Sequence, residues 1–409
     1  MKQKVTFLIG LIFIVGIALG QEKSITISGK VTDSETGEVL PYATVGLIGL
    51  PIGTITNSQG EFDFHIPAMY SAETFQITMI GYEGFRAPVT KAETLNVFAL
   101  KKSTTVLEEV VVSDSLTAGE IFTIALNRIP LNYPMEPYEM DGFYRDVKKV
   151  GDKYVSLLEA AITIYDKDYE APRDYTKVRE RVAIKEIRKS YDYDIAYAKY
   201  FEQYNLLEDL LLDNNVKYRS FNNEPQFYEM LKRKMVSGVD NKPLYLIYLH
   251  QPGYDLNVYI DPETYGIIRI EFGWGNGADP IFTYRKNRKL MNNVMRLDKL
   301  VEFEPHNGKL YLKYIRTNYK NQWVNTNLDT NEKDTELFQE LLINNINDKT
   351  PNWISSSQKM KHYGLQYQHG AYNKVFWDNY NVIKETPLDQ EIVKDLEEHM
   401  SLEKQFEEN

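Results

Sequence analysis

The sequence predicts a mainly β protein: an N-terminal β-sandwich over residues 21–104, followed by an α+β domain over 118–349 built on a large, curved antiparallel sheet. Three observations carry that prediction. Between Ile25 and Leu100, short alternating runs are punctuated by Gly, Pro, Asn and Asp, the pattern of a small all-β module. From Asp141 onward the runs lengthen, with few helical intervals between them. Aromatic residues make up 13% of the chain, with 30 Tyr and 18 Phe, and such side chains cover a half-buried pleated surface well.

Composition narrows the function classes. With 47 Lys and Arg against 58 Asp and Glu, the chain carries a formal charge of −11 and no basic stripe for a phosphate backbone, so nucleic acid is not an expected partner. The chain has 0 Cys, which excludes disulfides, thiolate catalysis, Cys-based zinc sites and a lipoprotein anchor processed at cysteine. A length of 409 residues suggests two or three domains.

In chain order, Lys2 and Lys4 precede an apolar run from Val5 to Leu19, and Ala18-Leu19-Gly20 leads into polar sequence. This reads as a cleavable secretory signal over 1–20, cut between Gly20 and Gln21; the apolar run is shorter than the ~20 residues a membrane span needs. No transmembrane span is expected after cleavage. Strands are then predicted at Ile25 to Val31, Ala43 to Ile48, Gly53 to Thr56, Phe62 to Ile66, Phe75 to Ile80, Phe85 to Val89 and Leu95 to Leu100. Asp33-Ser-Glu-Thr-Gly37 and Asn57-Ser-Gln-Gly60 read as turns in which Gly supplies a positive φ. Their acidic oxygens lack the alternating spacing of a calcium loop. The β-branched run Leu107-Glu-Glu-Val-Val-Val-Ser113 reads as a linker strand within 105–117.

The strings Ile27-Ser-Gly-Lys-Val-Thr-Asp33, Gly37-Glu-Val-Leu-Pro-Tyr-Ala-Thr-Val45, Gly53-Thr-Ile-Thr-Asn57, Gly60-Glu-Phe-Asp-Phe64 and Ile80-Gly-Tyr82 together resemble the carboxypeptidase-like regulatory domain of Bacteroidota envelope proteins. The resemblance implies a transthyretin-like, or prealbumin-like, sandwich in which Gly29, Val31, Asp33, Gly37, Pro41, Ala43, Val45, Gly53, Asn57, Gly60, Phe62, Gly81 and Tyr82 are structural motif positions. The domain is an accessory of metallocarboxypeptidases and does not carry their zinc. The same module opens SusC-type TonB-dependent receptors, but the remainder of this chain is too short for a plug and a barrel of 22 strands of about 10 residues each.

Beyond the linker, Ala118 to Ile129 has helical spacing, with Pro130 and Pro134 expected to stop it. Ile129 to Pro134 and Gly142 to Arg145 are similar to a second block in proteins of this group, which implies architecture and no particular activity. Long strands are predicted at Gly142 to Val150, Lys153 to Tyr165 and Lys177 to Arg188, then a helix over 193–213, with Phe227 to Val236 read as a strand. Leu244 to Leu249, Leu256 to Ile260, Ile267 to Phe272, Ile281 to Tyr284, Leu297 to Phe303, Leu310 to Tyr319 and Gln322 to Leu328 continue as a meander. Such a sheet resembles, at fold level only, the half-barrel of periplasmic lipoprotein carriers. Residues 350–409 read as a tail and C-terminal helix, of which the aromatic stretch 350–382 pins itself to the domain through Trp353, Tyr363, Tyr367, Tyr372, Phe376, Trp377 and Tyr380. It is followed by an acidic helix from Pro387 to Phe406.

The histidines are His65, His250, His306, His362, His369 and His399, and none forms a His-Glu-x-x-His pair; only His362 and His369 are placed to approach one another. Gly273-Trp-Gly275-Asn-Gly277 leads into Asp279-Pro280 and a strand, which makes it a hairpin connection and not a dinucleotide loop. No Gly-x-Ser-x-Gly elbow or phosphate-binding Gly-Lys-Ser/Thr loop occurs. The expectation is a non-catalytic exported envelope protein of the periplasm or outer-membrane periphery, without cofactor or metal. Its partner would be an envelope protein or an apolar ligand such as a lipid or lipoprotein. The alternative is a secreted hydrolase of glycan or peptide using a carboxylate pair assembled in space; the sequence pairs Glu108-Glu109, Glu302-Glu304 and Glu397-Glu398 are too common in an acidic protein to mark it.

Overall fold

A computed structural model describes residues 24–103, 116–191, 195–201, 205–328, 330–361, 364–384 and 387–408. Gly20, Gln21, the run Leu107 to Ser113, Tyr363 and His362 lie outside the described residues.

The N-terminal strands are β1 (Ser24–Asp33), β2 (Thr44–Leu47), β3 (Leu50–Ile55), β4 (Glu61–Pro67), β5 (Thr74–Thr78), β6 (Phe85–Pro88) and β7 (Val97–Leu100). They form two layers, β4-β1-β7 and β3-β2-β5-β6, with β1 and β7 parallel and the other pairs antiparallel. Alternation explains the sandwich. On β4, Phe62, Phe64 and Ile66 point inward and are fully buried, while Glu61, Asp63 and His65 point away. Phe98 meets Phe62 and Phe75 at 5.5 Å each between ring centroids. Gly29 is required by this packing, since a Cβ there would lie 2.4 Å from the Phe98 ring.

The body contains β8 (Tyr138–Val150), β9 (Lys153–Asp166), β10 (Arg181–Lys189), β11 (Lys232–Ser237), β12 (Pro243–Gln251), β13 (Tyr254–Ile260), β14 (Ile267–Trp274), β15 (Phe282–Arg285), β16 (Leu290–His306), β17 (Lys309–Asn325) and β18 (Thr330–Asn347). They form one antiparallel sheet in the order β11-β12-β13-β14-β16-β17-β18-β8-β9-β10, with β15 added to β16. The sheet stays open: among the described residues β10 and β11 each pair on one side only. It continues into the sandwich through a single pair, Asn345 with Ile52 of β3.

Several local expectations are corrected. The helix Ala118–Asn127 forms, held at its start by a capping box in which Thr117 Oγ1 accepts from Glu120 N at 3.2 Å and Glu120 Oε2 accepts from Thr117 N at 2.6 Å. Pro130 does not end helical structure. It occupies the first turn of a further short helix, Ile129–Asn132, where no N–H bond is lost. The helix over 193–213 is two pieces, a 3₁₀ turn at Ile195–Tyr200 and a helix at Leu206–Leu212. Phe227 to Val236 is half helix and half strand, because Pro225 presets a helical first turn for Pro225–Met230 before β11 begins. Gln322 to Leu328 is not a separate strand but begins inside β17. The C-terminal helix is broken into Pro387–Leu396 and Leu402–Glu408. β18 is not among the strands the sequence pattern predicts. It is buried on both faces from Gln339 to Asn344, so it lacks the alternation that marks a half-exposed strand.

One face of the large sheet is covered by the chain's own helices. Ile121, Phe122, Leu207, Leu210, Leu211 and Val216 share a core with Ile162, Ile247, Val258, Ile315 and Leu341. The opposite face receives the sandwich and the tail: Ile55 and Tyr42 pack with Phe143, Tyr314, Leu342, Trp377 and Ile383. Asn381 of the tail ties these parts together. Its side chain donates to His65 O at 3.0 Å and accepts from His65 N at 2.7 Å, closing the outer edge of β4, while its carbonyl accepts from Asn344 of β18 at 2.8 Å. Lys384 adds a bond to Asp63 at 3.0 Å, and Asn57 donates to Lys384 O at 3.1 Å.

Asn381→Ala leaves the backbone of His65 unpaired in a part-buried place. The expected loss is about 1–3 kcal/mol of unfolding free energy, measured by urea titration of the full chain.

Candidate functional site

The motif residues of the sandwich serve its turns. Asp33 Oδ1 accepts from Glu35 N at 2.7 Å and Thr36 N at 3.0 Å, and Tyr82 OH donates to Asp33 Oδ2 at 3.0 Å. The N–H bonds of Thr36 and Glu35 hold the Asp33 carboxyl below the usual carboxylate range. Burial, then the bond to Asp33, pushes Tyr82 up to about 12. Asn57 Oδ1 accepts from Gln59 N and Glu61 N, both at 2.9 Å. Gly53 stands where the body approaches: a Cβ would meet Val45 O at 2.5 Å and Lys313 Nζ at 3.0 Å.

Beneath the sandwich lies a row of alternating charges. Arg188 of β10, Glu159 of β9, Arg145 of β8, Glu340 of β18 and Arg316 of β17 are directly opposite one another in register across five adjacent strands. Glu159 is shared, with Oε1 2.8 Å from Arg145 Nε and Oε2 2.5 Å from Arg188 Nε. Glu340 takes Arg145 at 3.4 Å and the Tyr314 hydroxyl at 2.7 Å. Aromatic rings cap the cations: Arg316 lies 4.2 Å over Tyr42 and Arg188 lies 4.4 Å over Trp377. Burial alone would raise the Glu159 carboxyl, but Arg188 and Arg145 outweigh it and hold the group below its ordinary range.

The carboxylate pairs Glu302-Glu304 and Glu397-Glu398 are each divided between other partners. Glu302 binds Arg269 at 3.1 Å, while Glu304 binds Lys313 at 3.3 Å. Burial raises the Glu302 carboxyl despite Arg269. Glu397 accepts from Leu402 N at 2.8 Å, and Glu398 pairs with Lys153. Glu108 and Glu109 lie outside the described residues. The histidines are dispersed. His65 bonds Thr26 at 2.8 Å, His250 bonds Asn257 at 3.0 Å, and His306 faces Asp348 at 3.4 Å. Among the described residues no group of His, Asp and Glu is arranged to hold a metal ion. His369 borders an open cavity of about 450 Å³ between the β10 segment Ile184–Ile187 and the tail, next to Glu186, whose carboxyl is raised by burial.

A cluster of partly exposed rings offers one surface for contact with another molecule. At one end of the sheet, Tyr254 and Trp274 are cross-strand partners on β13 and β14. Phe272 lies 5.3 Å from Tyr254, and Phe282 of β15 lies 6.4 Å from Trp274. Trp274 is 40% exposed and Phe282 44%, so this aromatic patch is the open end of a core whose other side is filled by helices. The signal was available as the period-two pairs Phe272-x-Trp274 and Phe282-x-Tyr284, each placing two rings on one face.

Comparison with known proteins decides the N-terminal module. Residues 27–112 match the family model of the CarboxypepD_reg-like domain. The five motifs therefore lie in a recognised module, and the sandwich of β1 to β7 is its fold. No curated protein matches the chain. Among solved structures, the chain is similar to one titled "Lipid-protein interactions in lipovitellin", with 10% identity over 57% of this chain and 27% of that one. The TM-score of 0.24 is too low to indicate a common fold. No helix among the described residues is long and apolar enough to cross a membrane.

The charge row gives an acid-stability prediction. A carboxyl whose folded pKa is depressed stabilises the fold above its unfolded value, here 4.5, and loses that contribution as pH falls through the folded value. Glu159→Gln leaves Arg145 and Arg188 buried without their shared anion and is expected to cost about 3–5 kcal/mol at neutral pH. Its unfolding free energy should also fall less steeply than that of the parent as pH drops below 4.5, in denaturant titrations at successive pH values.

Proposed function

We propose that the chain is a non-catalytic, exported cell-envelope protein in which the CarboxypepD_reg-like domain is an interaction module held rigidly on a scaffold. The observation that carries this reading is the double covering of the large sheet. One face is filled by Ile121, Phe122, Leu207, Leu210 and Leu211 from the chain's own helices, and the other bears the sandwich. Of the two roles considered for the body, that packing supports the scaffold over a carrier of apolar ligand, because the surface a lipid would use is already occupied by side chains. The positively charged, then apolar, N-terminal sequence supports export, and the resemblance to Bacteroidota envelope proteins supports the location at the periplasm or outer-membrane periphery.

The partner on this reading is another envelope protein, received at the exposed rings of Trp274 and Phe282 together with the outer surface of the sandwich. The mature chain, isolated from the envelope without denaturation and measured by native mass spectrometry, is expected to carry a protein partner and no acyl chain. The double substitution Trp274→Ala and Phe282→Ala should weaken that association by about 2 kcal/mol or more while leaving the unfolding midpoint close to that of the parent. A stoichiometric acyl chain bound to the mature protein would overturn the scaffold reading in favour of a ligand carrier.

A further inference from the structure

Away from the sandwich, the helix-covered side of the sheet buries a lysine with two carboxylates. Lys217, on the short helix Asn215–Tyr218, is 1% exposed. Its ammonium contacts Asp166 Oδ2 at the end of β9, and Glu180 Oε1 at 3.2 Å, one residue before β10. Asp166 is 1% exposed and Glu180 5%. Tyrosines wall the site: Tyr138 donates to Asp166 Oδ2, Tyr218 donates to Glu180 Oε2, and the Tyr169 ring lies 5.4 Å from Lys217 Nζ. The second oxygen of Asp166, Oδ1, is buried and has no hydrogen-bond partner.

This is an unusual place to keep an ion pair. One cation and two anions are withdrawn from water together, and an oxygen is left without a donor. The same arrangement suits condensation. The nitrogen and the carboxyl carbon are held as neighbours by the fold, which removes the entropic barrier to their reaction. A dry, aromatic surround withholds the water that would reverse the reaction. A third group capable of moving protons touches the nitrogen.

We propose that Lys217 and Asp166 close an intramolecular amide bond, with Glu180 as the catalytic residue that transfers the protons. The ammonium gives one proton to Glu180, which passes it to Asp166 Oδ1. The free amine then adds its electron pair to Asp166 Cγ, forming the N–C bond. Glu180 takes a second proton from the nitrogen and delivers it to Oδ1, the C–Oδ1 bond breaks, and one water leaves. Glu180 ends ionised as it began, and no oxidant or other co-reactant is consumed. Oδ2 remains as the amide carbonyl, already held by the Tyr138 hydroxyl, and the oxygen that departs is the one without a partner. The product joins the end of β9 to the helix Asn215–Tyr218 and closes the intervening chain into a loop. It restricts the unfolded chain as a disulfide would, in a protein with 0 Cys.

The test is peptide mapping of the full mature chain after denaturation and digestion with trypsin. An amide at Lys217 blocks cleavage there, so residues 154–167 and 200–219 should appear as one branched peptide, lighter by one water than its two parts. Glu180→Gln should slow bond formation by about 10²–10⁴-fold, so that freshly folded protein yields the separate peptides, and Lys217→Arg should abolish the branched species. A wild-type digest in which trypsin cuts after Lys217 and releases residues 200–217 would overturn the bond. Branched peptide at wild-type yield and rate in Glu180→Gln would overturn the role given to Glu180.

Discussion

The row of Arg188, Glu159, Arg145, Glu340 and Arg316 sets the terms on which the rest of the chain packs. Charges directly opposed across five strands fix the register, because a slip of one residue would turn every member to the other face. Their burial also requires a cover that is not purely apolar. Tyr42 of the sandwich and Trp377 of the tail present ring faces to the guanidinium groups, and Ile383 O accepts from Arg145 at 3.1 Å. The sandwich is therefore seated on a surface with a defined charge pattern, which specifies its orientation more sharply than a greasy face would.

The two faces of the sheet are handled differently. On the sandwich side, polar groups reach across: Asn381 closes the edge of β4, and Asp240 accepts from Gly84 N at 2.7 Å while pairing with Arg86. On the helix side, a broad apolar core runs from Ile121 and Phe122 through Leu207 and Leu211 to the strands, interrupted by the enclosed group around Lys217. A sheet covered on both sides presents its rims and outer surfaces to other molecules, and the ring cluster of Tyr254, Phe272, Trp274 and Phe282 is where that core reaches solvent.

Legibility followed burial. The wet-faced strand β4, with Phe62, Phe64 and Ile66 alternating with charges, is legible in the sequence to within a residue of its bounds, whereas the long β16 extends well beyond the Leu297 to Phe303 core that its pattern marks. β18 did not, although it lies between β17 and β8 and carries Glu340, because a strand packed on both sides loses its period. The helix from Ala118 ends just before Pro130 as its sequence implies, and what the sequence does not show is that the same proline opens a further turn, since a proline past one helix is equally suited to the first turn of the next. For the sites, Glu302 and Glu304 were noticed as neighbours in sequence and went to different lysine and arginine partners, whereas Asp166, Glu180 and Lys217, which are far apart in sequence, came together.

The mainly β class, the five-motif CarboxypepD_reg-like module, the turn roles of Asp33 and Asn57, and the exclusion of cysteine chemistry can all be read from the chain before it folds. Each of these rests on interactions within a few residues or on composition. Which face of the large sheet receives the sandwich, that the other is filled by the chain's own helices, and which charges meet emerge only once the chain is packed. Those outcomes depend on contacts between positions such as 166 and 217, or 65 and 381, and such contacts leave no periodic trace in the chain. They follow from the requirement that every buried charge and strand edge find a partner wherever in the sequence that partner lies.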